Sequence, residues 1–197
     1  MKKIIFATSN EGKMREIREI LKDLDIELLS LKDAGLDLEI EENGTTFEEN
    51  AIIKAKYVME LTGEMALADD SGLEVDYMDK APGVYSARFL GENTSYDIKN
   101  QYIIDQLATA KNEERSARFV CVIAYAVPGA EIVARRADIE GIIATEIVGE
   151  HGFGYDPIFF LPEYHCTTAQ LSAEQKNAIS HRGKALNAMK DEIKKHL

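Results

Sequence analysis

The run "ARFVCVIAYAV", residues 117–127, constrains the fold more than any other stretch. It is apolar at nearly every position, too short to cross a membrane, and rich in Val, Ile and aromatic residues. A segment of this kind is a strand covered on both faces, so it belongs at the centre of a sheet with helices packed above and below. "PGAE" turns the chain after it into a second strand over about 132–139. The remaining pattern alternates. The run Ile4–Ala7 is a strand, followed by a helix over about 13–22 with Met14, Ile17, Leu21 and Leu24 at helical spacing. "IELLSL" (26–31) is a strand, and a helix over about 47–61 is stopped by Gly63. "MALADDSGLEVDYM" reads as apolar strand, acidic turn, alternating strand. Thr94 with Asp97 offers a capping box for a helix to about Leu107. From Ile143 the pattern is strand, glycine-rich loop, short strand. Ser172 with Gln175 caps a short helix, and Ser180 opens the last one, with Leu186, Met189, Ile193 and Leu197 on one face. The expectation is an α/β fold, with a sheet made mixed by the hairpin at Pro128–Gly129.

The 197 residues suffice for a single domain over 1–197, in one or two lobes. The formal net charge is -12, which argues against a nucleic-acid partner, because a phosphate backbone needs a basic surface. A phosphate site in such a chain must be a local gathering of donors or must use a metal. The two cysteines, Cys121 and Cys166, lack metal-ligand spacing. No apolar run has the length of a membrane span, the first residues do not read as a signal peptide, and a cytoplasmic location is expected.

Five stretches carry chemistry. "TSNEGK" (8–13) joins the first strand to the first helix, and a helix start binds anions through its unpaired N–H groups and partial positive charge. Lys13 opposes that dipole unless an anion sits there. A Walker A loop is excluded, since Ala7 and Met14 stand where its first Gly and its Ser/Thr belong. A plain capping turn is the other reading. On the helix after Gly44, Phe47, Ala51, Val58 and Thr62 form a stripe with Lys54 at its middle and Asn50 at its edge. A lysine there either snorkels to the rim or meets an anion in a polar cleft. Asp69 and Asp70 end an apolar run, where paired carboxylates suit Mg²⁺, a hard cation that bridges to substrate phosphates; a solvated turn is the alternative. Glu41-Glu42 could supply a further metal ligand or be a solvated loop. In "GFGYDP" (152–157), Phe153 could stack on a base and Asp156 accept from base N–H groups, or the string could be a bulge with a core aromatic. In "KNAISHRGKAL", His181 and Arg182 occupy a helix first turn, where cations are disfavoured without an anion or acceptor.

Taken together, "ATSNEGK", "ENGTTFEENAIIKA", "ADDSGLEVD", "APGVYSAR", "GFGYDPIF" and "KNAISHRGKAL" follow one another in the order of the inosine/xanthosine triphosphate pyrophosphatase family, which the chain resembles over residues 3 to 195. The resemblance implies an elongated, two-lobed α/β fold around a long mixed sheet, with the active site in the cleft between the lobes, a homodimer, and Mg²⁺. It implies hydrolysis of ITP, dITP and XTP to the monophosphate and pyrophosphate. It assigns Thr8, Ser9, Asn10, Glu11, Gly12 and Lys13 to the triphosphate, and Glu41 and Asp70 to the metal. It also implies that Asp70 is the proton acceptor, with Ser71 beside it in the substrate site. By the same resemblance Asn50, Lys54 and Asp69 would line the catalytic cleft, and Phe153, Gly154, Tyr155 and Asp156 would form the nucleoside loop. Lys176, His181 and Arg182 match further substrate contacts, the last two near the base. "YMDKAPG" departs from the family in lacking a glycine pair, as does "GEHGFGYD" in carrying Glu150 and His151; neither change removes a matched residue.

Overall fold

The computed structural model describes residues 1–197. In chain order the elements are β1 (Lys2–Phe6), α1 (Glu11–Leu21), β2 (Ile26–Ser30), α2 (Phe47–Thr62), β3 (Met65–Val75) and α3 (Tyr96–Gln106). After these come β4 (Ser116–Ala126), β5 (Val133–Ile143), β6 (Phe159–Leu161), β7 (Cys166–Thr167), α4 (Ala173–Ile179) and α5 (His181–Lys194). The seven strands form one sheet in the order β2-β1-β3-β4-β5-β6-β7. β1 runs parallel to both β2 and β3, with Ile4 opposite Leu28 and Met65; β5, β6 and β7 pair antiparallel. The sheet is therefore mixed, and the apolar run lies in its middle strand, β4, buried from Phe119 to Ala126.

The chain divides into two compact units. The first comprises Met1–Asp70, Cys121–Ala137 and Arg182–Leu197, and the second Ser71–Val120 and Asp138–His181. Each has its own core. In the first, the stripe Met14, Ile17, Ile20 and Leu21 of α1 packs with Ile4, Phe6, Leu67, Ile123 and the α5 residues Leu186, Met189 and Ile193. In the second, Leu73, Val75, Ile103, Leu107, Phe119, Ile143, Ile158 and Phe159 pack together. Both follow from apolar residues recurring at period 3.6 on helices and from continuous burial on the strands.

Local signals place the helix starts. Asn10 caps α1, its side chain accepting from the Lys13 N–H; Thr46 and Glu49 form a capping box on α2, as do Ser172 and Gln175 on α4. Four expectations differ from the structure. α3 is capped by Ser95, one residue beyond Thr94, whose hydroxyl instead donates to the Leu90 carbonyl. The strand expected over about 143–148 does not form: β5 ends at Ile143, paired with Phe159, and the chain beyond it is irregular. The acidic turn at Asp69-Asp70 does not exist: β3 runs through it without a break, because buried cations replace the water that a turn would have given these acids. Leu197 is exposed rather than on the core face of α5.

Candidate functional site

In the first unit, β1 and β3 lie side by side, and the loop after β1 leads into α1 close to the acids of β3. Thr8 is buried and its hydroxyl accepts from the Asn10 N–H at 3.1 Å. Ser9, Asn10 and Glu11 are exposed, and Gly12 and Lys13 half-buried. Lys13, in the first turn, reaches Asp69 at 3.0 Å. Asp69 also accepts from Arg182 at 3.2 Å, and the other arm of that guanidinium donates to Glu16 at 2.6 Å. Burial alone would raise the Asp69 carboxyl, but Lys13, Arg182 and Lys54 outweigh it and hold the group well below the usual carboxylate range.

Asp70, the next residue, has the opposite environment. Lys54 bridges it at 3.2 Å and bridges Glu42 at the same distance. The second Asp70 oxygen is buried and has no hydrogen-bond partner. Burial dominates here: it outweighs the attraction of Lys54, and with repulsion from Glu42 it pushes the carboxyl up to about 6. Lys54 itself is buried, yet its ammonium is held above its ordinary pKa, because Asp70, Asp69 and Glu42 together overcome the desolvation. The α2 stripe thus carries its lysine into an anionic cluster rather than out to the rim. Asn50, one turn earlier, accepts from the Gly44 N–H at 2.8 Å. A side chain at Gly44 would approach that Asn50 oxygen to 2.6 Å, so the acidic loop closes only over a glycine. The Asn50 amide nitrogen is buried without a partner.

Of the two acids at 41 and 42, Glu41 is exposed and Glu42 is ion-paired with Lys54. No three acids, histidines or cysteines are gathered as a ready metal cage. Two carboxylates with a spare buried oxygen are nevertheless a donor set that fits Mg²⁺, which takes one or two carboxylates plus substrate phosphates and keeps water. Ser71, half-buried, follows Asp70 as the first residue of the second unit.

In the second unit the glycine-rich loop 152–157 is pinned from several sides. Asp156 is buried, accepting from Lys176 at 2.6 Å and the Phe153 N–H at 2.9 Å on one oxygen, and from the Thr168 hydroxyl at 2.8 Å on the other. Gly152 has φ +74°, and a Cβ there would overlap that Asp156 carboxylate. Lys176 lies over the Phe153 ring, 4.8 Å from its centroid. Tyr155 is a core residue: its hydroxyl donates to the Ser86 carbonyl at 2.6 Å and its ring meets Tyr96 edge-on. Asn100 donates to the Gly154 carbonyl at 3.1 Å. His181 is buried and stacks on Phe119, with centroids 4.8 Å apart.

Several of these placements refine the sequence reading. Asp156 spends its oxygens inside the protein, so it shapes the loop rather than standing open to a base. Phe153 remains half-buried, as a stacking surface requires. Arg182 joins Asp69 and Glu16. Glu16, Ser86, Asn100 and Thr168 went unread. Glu16 sits three residues after Lys13, on a neighbouring helical position, a faint signal; the others hold loops through contacts 12 to 69 residues away, which no local pattern encodes.

The α/β fold thus carries a polar strand-to-helix turn, a buried acid with one unpartnered oxygen, and a glycine-built aromatic loop. The Ham1 family model matches residues 4–192, and the chain belongs to the Ham1 family. It is 46% identical over 201 residues to a dITP/XTP pyrophosphatase of Clostridium perfringens, covering 98% of both chains, and 50% identical over 184 residues to one of Desulforamulus reducens, covering 93% of this chain and 92% of that one. Among solved structures, a HAM1 protein from Coxiella burnetii superposes with a TM-score of 0.89 at 41% identity, covering 99% of this chain and all of that one. The Staphylococcus aureus Ham1 protein gives 0.88 at 39%, with both chains fully covered. No helix is long and apolar enough to cross a membrane.

Proposed function

We propose that this protein hydrolyses dITP, ITP and XTP to the monophosphate and pyrophosphate by attack of water on the α-phosphorus. The observation that carries the reading is Asp70: buried, bridged by Lys54 on one oxygen, unpartnered on the other, with its pKa raised to about 6. A base poised there is ionised at neutral pH yet retains basicity enough to take a proton from water. Lys13, Lys54 and the first-turn N–H groups of α1 receive the triphosphate, which lets a chain of net charge -12 accept a highly anionic substrate. Asp69, kept ionised, holds Lys13 and Arg182 in place. Asp70, with Glu41 or its neighbour Glu42, would hold Mg²⁺, which supplies charge neutralisation on the phosphates and lowers the pKa of bound water.

The base is taken by the second unit's loop, with Phe153 as the stacking face and Lys176 and Asp156 holding that ring. His181 and Arg182 are the donors proposed for the six-keto oxygen that hypoxanthine and xanthine carry and adenine lacks. A buried donor facing the six-amino group of adenine would lose its partner, which discriminates strongly. The working form is proposed to be a cytoplasmic homodimer, which light scattering of the purified protein tests for assembly.

The deciding experiment is anion analysis of products from ITP, dITP, XTP, ATP and GTP with Mg²⁺, alongside Asp70→Asn. Pyrophosphate with IMP or XMP, little from ATP or GTP, and nothing from the variant is the expected result. Orthophosphate, or tight binding without turnover, would overturn it and favour a different nucleotide hydrolase or a nucleotide sensor.

A further inference from the structure

The loop that carries Phe153 is held by a carboxylate, and that carboxylate is held in turn by a residue that neither motif nor pattern singles out. Asp156 Oδ2 is shared by the Lys176 ammonium and the Phe153 N–H, at 2.6 and 2.9 Å. Its Oδ1 accepts from the Thr168 hydroxyl at 2.8 Å, and that hydroxyl also lies 3.2 Å from the Asp156 carbonyl. Asp156 and Thr168 are both 2% exposed, so no water replaces the bond. Gly152 leaves no room for the carboxylate to turn toward it, since even a Cβ there would overlap Oδ2. The orientation of Asp156 therefore depends on Thr168 at one oxygen, and the position of both Lys176 and the Phe153 backbone depends on the other.

We propose that Thr168 is a positioning residue for base recognition: by fixing Asp156 it sets the Phe153 ring and the cation beside it. The inference rests on the reading of this loop as the base site. Losing only the hydroxyl leaves a buried carboxylate oxygen without a donor, and the carboxylate then rotates toward Lys176 and lets the Phe153 turn relax. Nothing in this chain of contacts touches Lys13, Lys54 or Asp70, so the phosphate end is untouched by the change.

The test compares wild type, Thr168→Val and Thr168→Ser. For T168V the KM for ITP rises about tenfold while kcat stays within about twofold, and inhibition by inorganic tripolyphosphate, which has no base, is unchanged. T168S, which restores the hydroxyl, restores KM. Calorimetric titration of IMP reads the same hold without turnover, with T168V binding about tenfold more weakly. An unchanged KM and unchanged IMP affinity in folded T168V overturn the proposal. So does a parallel loss of tripolyphosphate inhibition, which marks a general structural defect, and so does failure of T168S to rescue. A wild type that binds IMP but releases no pyrophosphate refutes the proposed reaction and leaves Thr168 to be judged by the titration; one that binds no IMP refutes both.

Discussion

Two adjacent acids on one strand should respond to the same isosteric substitution with opposite signs. Asp70 is raised from 3.8 to about 6, mainly by burial, and this displacement already includes the attraction of Lys54. It corresponds to about 3 kcal/mol by which the ionised form is disfavoured in the folded protein. Below about pH 4 the group is protonated in both folded and unfolded chains and costs nothing. Between about 4 and 6 the folded chain binds the extra proton, and as pH climbs through the folded value the stability associated with that proton is lost. Asp70→Asn removes the titration. In EDTA at pH 8 the variant should therefore be more stable than wild type by up to about 3 kcal/mol, with a melting temperature several degrees higher. The gap should close as the pH falls to about 4. Asp69→Asn should do the reverse. Asp69 is ionised against Lys13 and the buried Arg182, so an amide leaves those cations without their counter-charge and costs about 3 kcal/mol or more. Thermal melts of the three proteins from pH 4 to 8 in EDTA decide the matter. If D70N melts below wild type at pH 8, or if its advantage is the same at pH 4, the assignment of Asp70 as a destabilised, ready base is wrong.

Other outcomes follow from the same geometry. Added Mg²⁺ should raise the melting temperature of wild type and leave D70N unmoved, read by differential scanning fluorimetry. Lys13→Met should raise the KM for ITP at least tenfold and weaken tripolyphosphate inhibition in step, because both depend on the charge at the start of α1. Tyr155→Phe leaves the Ser86 carbonyl without its donor and should cost about 1 kcal/mol, a shift of about 2–4 °C on melting. Gly152→Ala places a methyl group against the Asp156 carboxylate in a backbone conformation that alanine resists, and steady-state kinetics should show ITP hydrolysis falling further than tripolyphosphate binding.

Much of this was legible in the residues. The apolar 117–127 run reads directly as a central strand, because nothing but burial on both faces suits it. Lys54 in an apolar stripe leaves open a snorkelling side chain or a buried counter-charge, and the structure supplies three carboxylates for it. Asp69 and Asp70 were visible as a pair, but not as residues within a strand. Acids in a strand interior run against local preference, and only Lys13, Arg182 and Lys54, from 16 to 113 residues away, make it tolerable. The same distance in sequence hides Thr168 and Ser86, whose value lies wholly in what they hold. That Glu42 rather than Glu41 pairs with Lys54 is a matter of backbone direction that spacing alone does not encode.

The first unit is assembled from three separated stretches, and its last contribution, Arg182–Leu197, brings both core residues and Arg182. Asp69 and Arg182 are 113 positions apart. Asp69 therefore gains its second paired cation only when the 182–197 stretch docks, so a fragment lacking that stretch should leave the buried acid to Lys13 and Lys54 alone.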